Sequence, residues 1–497
     1  MRRRGAKLAL LAGATLIAAP ASADTLREAL VEAYLTNPTL EAARAEQRAN
    51  DENVPIEKAA GRPDIGATGR YTEFLKQSST DFAAPERAIN LGVELGVPIY
   101  SGGAVKNAVR AAEERVKAGQ ASLRGTQSSL FSQVVAAYMD VIRHEAIVGL
   151  AANQVDVLTT NLQATSDRFE IGDLTRTDVA QSEARLAIAQ SDLRAAQANL
   201  IAAREDYIAL VGQAPTDLQP PPPLPGLPDN PDEAVDVALE NNPDLIAARE
   251  RADAAGYDIE VAGASRLPRV SLFTGYTYDN YLGTLGGAIV DDPSIPAEDV
   301  SQTASGAQAG VSITLPIFQG ARPAALQRQA QARASAALEE IIAAERDVIA
   351  QVRAAYSSWQ ASLAIIESSQ TAVAAAELSL EGVRAENSIG NRTILDVLNA
   401  EQELLNAQVE LVTARRNAYV AGFSLLAAMG RAEARDLGLG GEGLLYDPQL
   451  NYERVEGKWF DWDRDPDPVP QSTRTVDIPA QDAEIPGSES QPDPLID

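Results

Sequence analysis

The sequence predicts a mixed but mainly α-helical fold, internally duplicated, in which each half joins one β-hairpin to very long helices. Three patterns predict it: the chain is written twice, each half holds a run of period two, and each run gives way to heptads. Asn37-Pro38-Thr39-Leu40-Glu41-Ala42-Ala43-Arg44 returns 205 residues later as Asn242-Pro243-Asp244-Leu245-Ile246-Ala247-Ala248-Arg249. Pro63 with Pro268 and Tyr71 with Tyr276 keep that offset. From Val97-Pro98-Ile99-Tyr100 with Leu315-Pro316-Ile317-Phe318 onward it is 218, so thirteen extra residues lie between Tyr276 and Leu315. The longer offset holds for Tyr138 with Tyr356, Gly172 with Gly390, Asp178-Val179 with Asp396-Val397 and Gly212 with Gly430.

Each half opens with a helix. Thr25-Leu26-Arg27-Glu28 is a capping box, and Asn230-Pro231-Asp232-Glu233 offers Asn as N-cap with Pro in the first turn. Both helices are interrupted at the repeated Asn-Pro. Strands follow. Ile89, Leu91, Val93, Leu95, Val97 and Ile99 occupy one face against Asn90, Gly92, Glu94 and Gly96; Val311, Ile313, Leu315 and Ile317 repeat this against Ser312 and Thr314. Partner strands are expected near Ile65 to Phe74 and Val270 to Leu282, one hairpin per half, the second with a loop enlarged around Gly283 to Asp299.

The period then becomes seven. Val179, Leu186, Leu193, Leu200 and Tyr207 run beside Ser182, Ala189, Ala196, Ala203 and Leu210; Val397, Leu404, Leu411, Ala418 and Leu425 run beside Ala400, Ala407, Ala414, Ala421 and Ala428. Alanine on one seam lets neighbouring backbones approach closely. Gly103 to Thr165 contains no proline, so a single helix there would reach roughly 95 Å, and Ala324 to Glu381 matches it. A long conduit or spacer needs such helices; a globule does not.

Composition removes several functions. Forty-two Lys and Arg against 70 Asp and Glu leave a formal charge of -28, a field that repels nucleic acid. One His and no Cys exclude thiolate catalysis, disulfides and Cys-ligated metals. His144 has no second His or nucleophile nearby and reads as a lightly packed helical histidine. Gly283, Gly286 and Gly287 lack the Lys-Ser/Thr of a phosphate loop and read as loop flexibility.

The division expected is a signal peptide over 1–23, a first repeat over 24–218, a proline-rich linker over 219–229, a second repeat over 230–440 and an acidic, unfolded tail over 441–497. Arg2, Arg3, Arg4 and Lys7, the apolar run Leu8 to Ala19 and the small residues Ala21-Ser22-Ala23 form the signal. Losing those four positive charges takes the net charge from -28 to -32. No Cys near the cut allows lipid attachment, and no later stretch has 18 uninterrupted apolar residues, so a helical inner-membrane protein is excluded. In the tail, Asp461, Asp463, Asp465 and Asp467 alternate with Pro and aromatics but lack the glycine turn and closing Glu of a calcium loop.

Four strands with one apolar face cannot stand alone in lipid, where every backbone hydrogen bond must be met internally and barrels have at least about eight strands. The chain must pool strands with copies of itself. At this point the duplicated Asn-Pro helix, the two Val/Leu-Pro-Ile-aromatic segments, and the motifs Arg168-Phe169-Glu170-Ile171-Gly172 and Ile389-Gly390-Asn391-Arg392-Thr393-Ile394-Leu395-Asp396-Val397-Leu398 together resemble the TolC-like outer-membrane export channels over Thr25 to Gly430. The stretch from Tyr446-Asp447-Pro448 to Lys458-Trp459 is similar to alphaproteobacterial members.

That resemblance implies a homotrimer in the cell outer membrane, with a long α-helical barrel in the periplasm continuous with a β-barrel to which each protomer gives four strands. It implies no catalysis and no cofactor. The implied task is export of drugs or secreted proteins, with a periplasmic adaptor (membrane fusion) protein, an inner-membrane pump of RND or ABC type, and outer-membrane lipid as partners. Gly172 and Gly390 are expected at the helix-to-helix turns of the periplasmic tips. By resemblance, Asp396 forms the acidic ring of the constriction, Arg392 ties neighbouring tip helices through Thr177, and Asp178 matches the partner of a tip tyrosine. Here that tyrosine is Asn387 and the second ring acid is Asn399, leaving three ring carboxylates per trimer. From the residues alone, Asp178 and Asp396 also read as helix-start acids suited to the helix dipole. An alternative class, the periplasmic adaptor, would show one helical hairpin between lipoyl-like β segments; an all-helical periplasmic enzyme would need a catalytic constellation.

Overall fold

The computed structural model describes residues 24–76, 85–285, 301–440 and 445–484. The signal peptide expected over 1–23, and Gly286 and Gly287 with most of the enlarged loop, lie outside them. The first half runs α1 (Leu26–Thr36), α2 (Pro38–Asp51), α3 (Asn53–Ala59), β1 (Asp64–Glu73), β2 (Arg87–Tyr100), α4 (Ala104–Glu170) and α5 (Arg176–Val211). The second runs α6 (Pro231–Asn241), α7 (Pro243–Gly263), β3 (Arg269–Asn280), β4 (Thr303–Thr314), α8 (Arg322–Ser388) and α9 (Ile394–Ala428), followed by α10 (Pro448–Glu456). Both α4 and α8 have 67 residues, about 100 Å of helix each.

The repeated Asn-Pro has a local reason. Asn37 closes α1 and opens α2: its side-chain oxygen accepts from the Thr39 and Leu40 amides (2.9 and 3.4 Å) while its amide donates to the Leu210 carbonyl at 2.9 Å. Asn242 does the same between α6 and α7, accepting from Asp244 and Leu245 and donating to Ala428 at 3.0 Å. Each buried asparagine thus pins the start of its half to the end of that half's last helix. The duplicated tyrosines hold the linker: Tyr138 donates to the Gln219 carbonyl (2.6 Å) and Tyr356 to the Asp229 carbonyl (2.9 Å).

The seams pack as their spacing predicts. Ser182, Ala189, Ala196, Leu200, Ala203 and Tyr207 are buried on α5, and Val397, Ala400, Ala414, Ala418 and Leu425 on α9. The main core lies around the middle of α4, where Phe131, Val134, Val135, Tyr138 and Val141 are sealed from solvent by α1, α5 and the end of α9. Helix α8 is different. It buries seven residues where α4 buries nineteen over the same length, and Leu338, Ile342, Leu363, Ile365 and Leu378 remain exposed. A single copy leaves α8 half-partnered.

The two hairpins form one antiparallel sheet in the order β1-β2-β3-β4, because β2 pairs with β3 across the halves. Registers Ile65↔Leu95, Val93↔Tyr276, Leu272↔Val311 and Val270↔Ile313 line up one apolar face. Thr68↔Gly92, Glu94↔Gly275 and Thr277↔Gly306 line the polar, glycine-rich face. Ile65, Leu91, Val93, Tyr276, Val311 and Ile313 are exposed. The outer edges of β1 and β4 have no strand partner among the described residues. No helix among those residues is long and apolar enough to cross a membrane.

Two expectations need correction. Strand β4 begins at Thr303 and ends at Thr314, so Leu315 and Ile317 lie beyond it. Pro316 has no amide to continue the ladder, whereas Pro98 is tolerated in β2 where the register shifts between Pro98 and Tyr100. Residues 445–484 also depart from an unfolded tail. Val455 is sealed from solvent, Tyr452 packs on the cluster of Val54, Ala112 and Val116, Asn451 donates to Asp51 at 2.7 Å, and Arg204 reaches the carbonyls of Asp482 and Glu484, both at 2.8 Å. The segment is too polar to fold alone, but it needs only a surface that supplies these partners. Val455→Asp should undock it, since an unpaired carboxylate in that site costs at least about 2 kcal/mol. Trypsin should then cleave after Arg454 and Lys458 far faster than in the wild type, with the body of the chain intact.

Candidate functional site

The two tips are built from the same parts. At the end of α4, Gly172 takes φ 83°, the Gly172 amide donates to the Phe169 carbonyl and the Asp173 amide to the Arg168 carbonyl, both at 2.9 Å. At the end of α8, Gly390 takes φ 82°, its amide bonds to the Asn387 carbonyl (3.0 Å) and the Asn391 amide to the Glu386 carbonyl (2.9 Å). These are Schellman closures, which need a left-handed residue that glycine supplies without strain. Three residues after each glycine a capping box opens the returning helix, Thr175 with Asp178 and Thr393 with Asp396.

The capping boxes hold the two aspartates. The Thr393 amide and hydroxyl donate to one oxygen of Asp396 at 2.9 and 2.8 Å, and the Thr175 amide and hydroxyl to one oxygen of Asp178 at 2.9 and 2.7 Å. Those bonds, hydroxyl first and then amide, hold both carboxyls below the usual aspartate range. The second oxygen of each stays free for another partner, so the helix-start role and a role in a pore are compatible.

Arg392 pairs with Glu386 at 2.7 Å within its own tip, which raises its affinity for its proton further. Asn387 donates to the Arg392 carbonyl at 2.8 Å and so braces the turn. The structure therefore places Arg392 and Asp396 in the second tip and Thr177 and Asp178 in the first, and within one chain it ties none of the first pair to the second. Asn399 accepts from Arg185 of α5 at 2.7 Å.

Glu401 escaped the reading of the sequence. It is 3% exposed on α9, accepts from Asn161 of α4 at 2.8 and 3.0 Å, and pairs with Arg384 of α8 at 3.0 Å. Below it, Leu398 packs against Leu158 and Ala189. One carboxylate thus clamps the two helical hairpins near their tips. It sits one residue past the Ala400 seam, and its main partner lies 240 residues away, so nothing local in the sequence marks it. Higher up, Arg416 of α9 makes a second bridge to Asp140 of α4 at 2.7 and 3.1 Å. Beside it His144 is half-buried, and burial followed by the Arg143 charge pushes its pKa down.

Among the described residues no group of three His, Cys, Asp or Glu side chains is placed to hold a metal. Glu401→Ala should leave Asn161 and Arg384 without their shared acceptor and loosen the tip by about 1–3 kcal/mol. Amide exchange over 394–404 should quicken accordingly. In a cycle with Asn161→Ala the two changes should be non-additive, because they remove the same bond.

Comparison with known proteins agrees with this architecture. The family described as outer membrane efflux protein matches residues 29–213 and 234–431. The outer membrane efflux protein BepC of Brucella suis biovar 1 is 35% identical over 452 residues, covering 91% of this chain and 94% of BepC. The outer membrane protein TolC of Escherichia coli K12 is 26% identical over 431 residues, covering 84% of both. Among solved structures, VceC of Vibrio cholerae superposes with a TM-score of 0.68 at 24% identity, covering 82% of this chain and 96% of VceC. The CmeC channel of Campylobacter jejuni gives 0.71 at 16%, covering 87% and 89%; both share the fold. With its duplicated helical hairpins, its half-closed sheet and matches over both halves, the chain belongs to the outer membrane efflux protein family.

Proposed function

We propose that three copies of this chain close into one export duct, twelve strands forming a β-barrel through the outer membrane and twelve helical segments a tube through the periplasm. The observation that carries it is the sheet: β1 and β4 present open edges, and the apolar face between them is exposed. In lipid those edges must pair, and β4 of one copy meeting β1 of the next satisfies both. The exposed leucines and isoleucines of α8 gain partners from the same closure.

The duct does no chemistry; its work is gating. Glu94 on the polar face of the sheet faces the lumen, and Asp396 supplies one carboxylate per copy where the tips converge. Arg392, paired with Glu386 in its own tip, ties to Thr177 of a neighbouring tip when the ring closes, and Glu401 keeps each copy's two hairpins moving as one. Opening is then a parting of the three copies' tips driven by a periplasmic adaptor and an energised inner-membrane pump of RND or ABC type. The cargo is drugs or secreted proteins.

Membrane fractionation should find the mature protein as a heat-modifiable trimer in the outer membrane; a water-soluble monomer overturns the reading. Arg392→Ala should raise single-channel conductance several-fold in planar bilayers, whereas an unchanged conductance removes Arg392 from the gate. Asp396→Asn should weaken block by divalent cations about tenfold. Because the Asp396 carboxyl lies below its ordinary value of 3.8, block should persist as pH falls through that value. It should fade only at lower pH, once the carboxylate takes up its proton.

A further inference from the structure

Beyond α10 the chain makes a short turn that exposes three large aromatics. Trp459 is 57%, Phe460 79% and Trp462 95% exposed, an arrangement that water disfavours. The turn is nevertheless built. Its Asp463 amide donates to the Phe460 carbonyl at 3.1 Å. Arg454 grips both oxygens of Asp465 at 2.7 and 2.8 Å, and Lys458 lies 3.3 Å from Asp465 and 3.6 Å from Asp463. These pairs hold the Asp465 carboxyl near 2 and turn the acids back onto α10, so the aromatics face outward. Helix α10 is itself fastened by Val455 and by the Asn451–Asp51 bond.

The place of the turn gives it meaning. Arg62 donates to the Lys458 carbonyl at 2.6 Å and lies over the Trp459 ring at 4.6 Å. It also stands two residues before β1, whose first apolar-face residue, Ile65, is 72% exposed. The aromatic turn is therefore tied to the foot of the sheet, where the apolar band begins. The same end of the sheet carries Tyr100 at the foot of β2 and Phe318 just past β4, 47% and 86% exposed. Tryptophan, with an apolar ring and a polar N–H, is favoured at the level of lipid headgroups.

We propose that Trp459, Phe460 and Trp462 form an interfacial anchor that seats in the periplasmic leaflet of the outer membrane beside β1, continuing the lipid-facing surface of the barrel onto the C-terminal segment. The anchor rests on the outer-membrane reading above. It couples α10, and through it α2 and α3, to the bilayer, and so fixes the height of the helical tube without a covalent lipid. Of the surrounding acids, Asp463 and Asp465 are neutralised by Lys458 and Arg454, and the exposed Asp461 and Asp467 stay in the headgroup water.

The chain has three tryptophans, so Trp359→Phe with Trp459→Phe leaves Trp462 as the sole reporter in the full-length trimer. Reconstituted into phosphatidylethanolamine/phosphatidylglycerol vesicles, its emission should be quenched strongly by lipids brominated at carbons 6 and 7 and weakly by lipids brominated at 11 and 12. Unquenched emission overturns the anchor, whether the ring is in water, with a red emission maximum, or covered by a neighbouring copy, with a blue one. A second protein, with all three tryptophans changed to Phe and Val311→Trp on the apolar face of β4, serves as the reference. If Val311→Trp is quenched and Trp462 is not, the anchor alone fails; if neither is quenched, the outer-membrane reading fails with it.

Discussion

The structure depends on one constraint: a β-sheet that enters lipid can leave no backbone amide or carbonyl unpaired. Four strands satisfy this at three interfaces and leave it open at two edges. The rest of the molecule supports that incomplete sheet. Pairing of β2 with β3 joins the two halves above, and the Asn37 and Asn242 caps tie the opening helices of each half to its last helix below. A duplicated chain therefore behaves as one stave, with its unused hydrogen-bonding capacity confined to its two sides.

The same economy governs the helices. Alanine seams bring α4 to α5 and α8 to α9 within one copy, while α8 keeps apolar side chains in reserve. The asymmetry between the halves follows: α4 lies in the middle of the chain's own core, and α8 lies at its margin. At the tips, turn chemistry and charge chemistry share residues. The threonine that caps the helix lowers the pKa of the aspartate that starts it, so one oxygen of that residue serves folding and the other is left for a further partner.

The C-terminal segment shows how a polar sequence becomes ordered. Its composition cannot sustain a core, yet Tyr452, Asn451, Asp465 and Asp482 each find a specific partner on α2, α3, α5 or α10. The segment then carries an aromatic turn to the foot of the sheet. Order here comes from docking, and its reach along the body gives it a role that its own residues do not announce.

Repeats, periods and caps are local, and they were legible before any coordinates. The duplication, the broken helices at Asn-Pro, the hairpins, the long proline-free helices and both tip glycines depend on residues a few positions apart, whose conformational preferences act wherever the chain goes. The end of β4 was misjudged because alternation continues past Pro316, although the hydrogen-bond ladder does not. What needed three dimensions was every pairing across long separations. The β2–β3 contact, the Glu401 clamp with Asn161, and the docking of 445–484 each join groups whose meeting costs loop entropy and is settled by the packing of the whole. Periodicity says which face of an element seeks a partner; the choice of partner belongs to the assembled fold, because burial energy has no address in sequence.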